Sequence, residues 1–164
     1  MNIIVPPHLK IAIKVEDPLS IIDEAVQILK RIVNKDFYFP GSKYNDCFAI
    51  AQPQVSDKPL KYFVINPSKK ELVESFGGEI IINPQLVKKD KLTRIMHPEG
   101  CMSYPFRPIK KTKRFSKIWV NYVIIKDIKG RTFEKIENKG LEGVPAIVFQ
   151  HEFQHMNGKS IFSK

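Results

Sequence analysis

Cysteine is scarce in this sequence: two residues, Cys47 and Cys101, among 164. Two thiols so far apart make no disulfide framework, and a reducing cytoplasm is the expected compartment. Long apolar runs are missing too. No stretch approaches the ~18 residues that a helical membrane span needs, so no membrane association is expected. The opening Met1-Asn2-Ile3-Ile4-Val5-Pro6-Pro7 has no basic region ahead of a long apolar one, which argues against a secretory signal. Internal repeats, low-complexity tracts and linkers are also lacking. With 43% apolar residues the chain can bury a core, and its length fits one domain, 1–164. Acidic residues are absent between Glu99 and Asp127, whereas Arg107, Lys110, Lys111, Lys113, Arg114, Lys117 and Lys126 all fall there, in a chain of net charge +10. Such a cluster is either a solvated face or a footprint for an anionic partner such as RNA or the ribosome. No nucleic-acid-binding motif accompanies it, and charge alone does not choose.

Apolar spacing outlines the elements. Asp17-Pro18 suits a helix start, with Asp as N-cap and Pro in the first turn. Leu19, Ile22, Val26, Leu29 and Val33 recur at helical spacing, with Ala25 and Ile32 beside them, and predict an amphipathic helix running to about Asn34. Residues 61–65 and 79–82 read as strands, ended by Asn66-Pro67 and Asn83-Pro84. Leu92 to Met96 is expected to continue the sheet. Ser116 to Ile125 alternates Ile118, Val120, Tyr122 and Ile124; Asp127-Ile128-Lys129-Gly130 supplies a turn and Arg131 to Glu137 the returning partner. Pro145 starts a last helix that Asn157-Gly158 ends. This order predicts an α+β fold: antiparallel β-sheets packed around the C-terminal helix, with an N-terminal amphipathic helix.

That last helix carries His151-Glu152-Phe153-Gln154-His155. Residues i and i+4 share a helix face, so two imidazoles can meet one metal ion, with Glu152 beside them to hold a water. A catalytic site of this type takes a third protein ligand and keeps one position open. Residues 156–164 contain no His, Asp, Glu or Cys. The third donor is therefore expected upstream, among Cys47, Cys101, His8, His97 and the carboxylates. Thiolate is a strong ligand for zinc or ferrous iron. Gly100 permits a close backbone approach just before the sulfur of Cys101. The helix pattern does not by itself choose Cys101 over Cys47, and a lone cysteine is more often a small buried hydrophobe.

Glu99-Gly100-Cys101-Met102-Ser103 and His151-Glu152-Phe153-Gln154-His155, in this order, resemble two of the three motifs of the peptide deformylases. The first motif of that family, Gly-x-Gly-x-Ala-Ala-x-Gln, is recognisable in altered form as Cys47-Phe48-Ala49-Ile50-Ala51-Gln52-Pro53-Gln54. Ile82-Asn83-Pro84 after a strand and Gln150 before the helix histidine are family-like as well. The resemblance implies that Cys101, His151 and His155 hold one divalent metal ion, ferrous iron in the cell, with zinc, nickel or cobalt able to replace it. It implies a water in the fourth place. Glu152 would accept its proton and later pass one to the leaving amine. Gln54, through its side-chain amide, and the backbone N–H of Met102 would donate to the developing oxyanion. Substrate would lie against Ala49, Ile50, Gly100 and Met102. The implied reaction is removal of the N-formyl group from the initiator methionine of nascent polypeptides, releasing formate. A monomer is expected, whose partners are the N-formylated nascent peptide and, through the basic segment 107–126, the ribosome.

Departures from the family pattern carry expectations of their own. Cys47 and Ala49 stand where the family has glycine, and a positive φ at either would be strained. Gln52, in place of an alanine, must find partners if buried. Gln154 replaces an aspartate; it points away from the metal face and is expected to meet a basic residue of the Arg107–Arg114 segment. Cys47 is either buried among core residues or lines the pocket near Cys101. These changes leave a degenerate metalloprotein relative, with altered or lost activity, as the alternative function. A metal-dependent endopeptidase is disfavoured by the Cys101 segment. A nucleic-acid-binding protein with a structural metal is disfavoured by Glu152, for which a closed site has no use.

Overall fold

The structure, a computed structural model, describes residues 9–42, 44 and 46–164. Met1–Pro7 and the candidate ligand His8 lie outside them. The elements are α1 (Ile22–Val33), β1 (Ala49–Ala51), β2 (Tyr62–Ile65), α2 (Lys70–Phe76), β3 (Ile80–Lys89), β4 (Arg94–Glu99), β5 (Lys110–Phe115), β6 (Lys117–Asp127), β7 (Thr132–Glu142) and α3 (Val144–Met156). Five strands make an antiparallel sheet in the order β1-β2-β3-β6-β7; β4 and β5 make a second, two-stranded one. This is the expected α+β arrangement.

Strand alternation assigns the two faces of the larger sheet to different helices. Tyr62, Val64, Ile80 and Ile82 cluster with Ile22, Ala25, Ile28, Leu29 and Ile32 of α1. Phe63, Ile65, Ile81, Ile118, Val120 and Ile124 cluster with Ala146, Val148 and Phe149 of α3. Each such side chain, fully buried, contributes about 1.5–3 kcal/mol. The buried stripe of α1 differs from the one its spacing predicts. Ile21, Ile22, Ala25, Ile28, Leu29 and Ile32 are buried, whereas Val33 is 63% exposed. The difference lies at the helix end: Val33 is the last residue of α1, whereas Leu19, in a preceding 3-10 turn (Pro18–Ile21) capped by the Asp17 side chain, and Val26 are half-buried and pack against the same cluster.

Strand boundaries also differ. β3 runs through Asn83-Pro84 instead of ending there. Asn83 adopts φ 50°, and the pairing with β6 shifts between Ile82 and Gln85. The Asn83 side chain accepts from the Val15 N–H and donates to the Val15 carbonyl, each at 2.8 Å. A side-chain amide thus replaces a strand partner, and the bulge bends the strand without stopping it. β7 likewise passes its expected end at Glu137 through Asn138, at φ 51°, whose N–H donates to Asn121 Oδ1. Leu92 to Met96 does not continue the larger sheet, because Arg94–Glu99 leaves it to pair with Lys110–Phe115.

Helix α3 opens after Gly143, at φ 69°, with Pro145 in its first turn, and stops at Asn157-Gly158 as expected. Of its residues only Val144 is exposed. Phe149 stacks on Phe153 and meets Phe63 edge-on. The platform for the two histidines is therefore fixed by packing on most of its circumference. No helix among the described residues is long and apolar enough to cross a membrane.

Candidate metal centre

The turn after β4 brings Cys101 against consecutive turns of α3. Cys101 Sγ lies 3.4 Å from His155 Nε2, which lies 3.3 Å from His151 Nε2. One donor atom from each of the three residues falls within 4.8 Å of the others. With bonds of about 2.05 Å to nitrogen and 2.3 Å to sulfur, a tetrahedral ion sets its donors about 3.3 Å apart for two nitrogens and about 3.6 Å for sulfur and nitrogen. The donor set fits one divalent ion in both chemistry and spacing. Cys101, not Cys47, is the thiol that meets the imidazoles. His97 stays outside the cluster, with Nδ1 3.9 Å from Glu99 Oε2.

A buried charge network supports this cluster. His151 Nδ1–H donates to Glu99 Oε1 at 2.8 Å. Arg114 donates to both oxygens of the same carboxylate, from Nε at 2.7 Å and Nη2 at 2.8 Å. Its Nη2 also donates to Gln154 Oε1 at 2.8 Å. With Nδ1 committed to Glu99, Nε2 is the nitrogen that faces Cys101 and His155, the arrangement a metal ligand needs. Burial alone would raise the Glu99 carboxyl, but its bonds to His151 and Arg114 outweigh that and hold it low. Burial would likewise raise the Cys101 thiol; the adjacent His155 and His151 bring it well below its usual value, toward the ligand form. His155 Nδ1 has no hydrogen-bond partner among the described residues, so that fully buried ring is oriented by packing and by the contacts of its Nε2 with Cys101 and His151.

Beside the cluster is a cavity of about 260 Å³. Cys101, His151, Glu152, Gln54, Gly100, Met102 and Ala49 all line it, so the structure brings together most residues singled out in the sequence. Ile50 is the exception. By alternation along β1 its side chain turns to the opposite face and is fully buried in the α1 cluster, so any substrate contact there falls to its backbone. Glu152 is buried, and its Oε2 has no hydrogen-bond partner among the described residues. Burial pushes its carboxyl up, against the pull of His151 and His155. Gln54 is buried and doubly anchored: Oε1 accepts from the Ala51 N–H at 2.9 Å, and Nε2 donates to Ser103 Oγ at 2.8 Å.

Gly100 is favoured by space: a Cβ there would overlap the Tyr44 ring. The Tyr44 ring covers this glycine, its hydroxyl donating to the Arg107 carbonyl at 2.6 Å.

The departures from the motif pattern are accommodated. Neither Cys47 nor Ala49 adopts positive φ, so neither side chain is strained. Gln52 Nε2 donates to Glu24 Oε1 and the Lys58 carbonyl, and its Oε1 accepts from the Leu60 N–H, so a buried amide is satisfied. Gln154 meets Arg114, a member of the segment expected to hold it. Cys47 is half-buried and lines the cavity; burial, then Glu152 and Asp46, push its thiol up to about 12. Nothing in this geometry favours the degenerate alternative.

Sequence reasoning missed Glu99 as the partner of His151, Ser103 as the anchor of Gln54, and Tyr44 as the cover of Gly100. A signal existed for the first: Glu99 opens the Glu-Gly-Cys segment, two residues before the thiol.

A sequence model of the polypeptide deformylase family matches residues 9–164. The peptide deformylase of Thermotoga neapolitana is 31% identical over 150 residues, spanning 90% of this chain and 76% of its own length. The crystal structure of peptide deformylase from Thermotoga maritima superposes with a TM-score of 0.65 at 28% identity, covering 98% of this chain and 93% of that one. The fold is shared too by PDF from the Vibrio parahaemolyticus bacteriophage VP16T, solved with actinonin, with a TM-score of 0.69 at 24% identity over 98% and 99% of the two chains. A match that spans nearly the whole chain, joined to a thiol and two imidazoles converging beside a buried carboxylate, establishes that the chain belongs to the polypeptide deformylase family.

Proposed function

We propose that this chain is a metal-dependent hydrolase that removes the N-formyl group from the initiator methionine of nascent polypeptides and releases formate. One observation carries the reading: three metal-type donors meet, on one cavity, a buried carboxylate oxygen that has no hydrogen-bond partner among the described residues. A divalent ion held by Cys101 Sγ, His151 Nε2 and His155 Nε2 would supply Lewis acidity, lowering the pKa of a water and polarising the formyl carbonyl.

The remaining work falls to the chain. Glu152 Oε2 takes a proton from the attacking water and delivers one to the amine nitrogen as the C–N bond breaks. One amide hydrogen of Gln54 is committed to Ser103; the other is available to the formyl oxygen as charge collects there. The Ala51 N–H holds the other end of that amide and fixes its direction. The backbone N–H of Met102 is the second donor. One such donor is typically worth about 3 kcal/mol in the transition state. Phe48, Val144, Ile147 and Val148 give the cavity an apolar wall suited to an unbranched methionine side chain. The formyl group is small, so a tight pocket rejects larger acyl termini by shape.

Ferrous iron is the ion we assign in the cell, with zinc, nickel or cobalt accepted by the same donors. The chain acts as a cytoplasmic monomer of one domain. Formate release from a formyl-methionyl tripeptide, measured without oxygen and with metal assayed on the same sample, tests the reading. Release that tracks metal content supports it; none from fully loaded protein overturns it. Gln54→Glu keeps the acceptor for Ala51 but removes the amide donor. Its kcat is expected to fall by about 10²- to 10³-fold with metal content unchanged. A variant that releases formate at the original rate would remove Gln54 from oxyanion binding.

A further inference from the structure

The basic cluster of the sequence divides in the fold. Arg114 turns inward onto Glu99, and Lys110 donates to the Ile161 carbonyl at 2.6 Å. The alternate residues of β5 face the other way. Register pairs Lys111 with Pro98, Lys113 with Met96 and Phe115 with Arg94. Residues directly opposite across an antiparallel pair share a face. Arg94, Met96, Pro98, Lys111 and Lys113 are all exposed. Lys89 adds a fourth cation, its Nζ 5.3 Å from the Phe115 ring centre.

Among the described residues, no carboxylate pairs with Lys89, Arg94, Lys111 or Lys113. The acid nearest in sequence to Lys89, Asp90, accepts from the Leu92 N–H. Glu99 is buried on the inner side with Arg114 and His151. The face also reaches the candidate metal centre: Pro98, opposite Lys111, lines the cavity.

We propose that the outer face of the β4–β5 sheet docks RNA through its phosphates and places the cavity mouth at the edge of the docked surface. Four cations without countercharges among the described residues complement a polyanion, and exposed Met96 offers apolar surface to sugars and bases between the phosphates, whereas Phe115 packs against the core and only carries Lys89 over its ring. A protein partner is less well matched. It would need a continuous apolar patch, and here each apolar side chain is flanked by a cation. The choice of RNA as the polyanion rests on the deformylase reading, in which the substrate is a chain still being made on an RNA-rich machine.

Anisotropy titration of a fluorescein-labelled RNA hairpin of arbitrary sequence, between about 50 and 200 mM KCl, tests the proposal. Steeply salt-dependent binding is expected. Lys111→Glu/Lys113→Glu is expected to weaken it at least ~tenfold, and Lys111→Ala/Lys113→Ala to lower the log–log salt slope by about 2. Lys30→Glu/Lys129→Glu makes the same change in net charge on α1 and at the β6–β7 turn, and should leave affinity within about twofold. Equal losses in the two Glu variants would reduce binding to overall charge and overturn the docking face. So would an unaltered protein that ignores the hairpin, or one that instead binds vesicles of phosphatidylcholine and phosphatidylglycerol through Lys111 and Lys113. Formate release from a short formyl peptide should be unchanged in Lys111→Glu/Lys113→Glu. Binding is read without turnover, so an inactive protein that binds RNA through this face would overturn the enzymatic reading alone.

Discussion

Glu152→Gln is expected to lower formate release from a formyl-methionyl peptide by about 10²- to 10⁴-fold, the usual contribution of a positioned acid–base group. Glutamine preserves the size and shape of a buried side chain, so helix packing is undisturbed. It cannot accept a proton at neutral pH. The carboxylate is poised for that role by isolation: Oε2 is buried, has no hydrogen-bond partner among the described residues, and belongs to a residue on the cavity wall. Because the proposed donors are Cys101, His151 and His155, metal content should match that of the unaltered protein. Rates compared on samples of equal metal content decide the matter. Activity within tenfold of the original would exclude Glu152 from proton transfer, and loss of metal would recast it as a support for the donors.

Glu99→Ala is expected to act on stability and on metal affinity together. The Arg114 guanidinium, 4% exposed, would lose the carboxylate that accepts two of its hydrogen bonds. Leaving a buried charge uncompensated costs about 3–5 kcal/mol, measurable by denaturant titration. His151 would lose the acceptor that fixes its tautomer and ring plane, and such losses commonly cost 10- to 100-fold in metal affinity. A second variant separates the effects. In Glu99→Leu/Arg114→Met both charges go and apolar groups fill the space, so much of the stability should return. Metal affinity should not. If a competition titration with a chelator gave the double variant its full affinity, the bond from His151 to Glu99 would have no part in holding the ion.

Much of this site was legible because its signals are local. Two histidines at i and i+4, a proline in the first turn and Asn-Gly after the last need no knowledge of the rest of the chain. The same reading failed where a distant partner decides the outcome. Asn83-Pro84 looks like a strand end, yet Asn83 reaches a backbone 68 residues away and the strand continues. β5 stayed hidden because Lys-Lys-Thr-Lys-Arg lacks apolar alternation. Its inward position is filled by Arg114, whose countercharge on β4 no periodicity announces. In α1 the spacing marked the packed face through Ile22, Ala25, Leu29 and Ile32 and missed at the helix end, where Val33 is exposed. Gln52 and Gln154 read as departures, and their compensation became visible only with Glu24, Leu60 and Arg114 in place.

Helix α3 is enclosed over nearly its whole length, with Val144 alone exposed. An element so placed has no route to fray by itself. Its amide protons should exchange with solvent deuterium only when the entire molecule opens, at rates set by global stability. An ion held by His151 and His155 would then have to enter or leave by rotation of single side chains around an intact backbone.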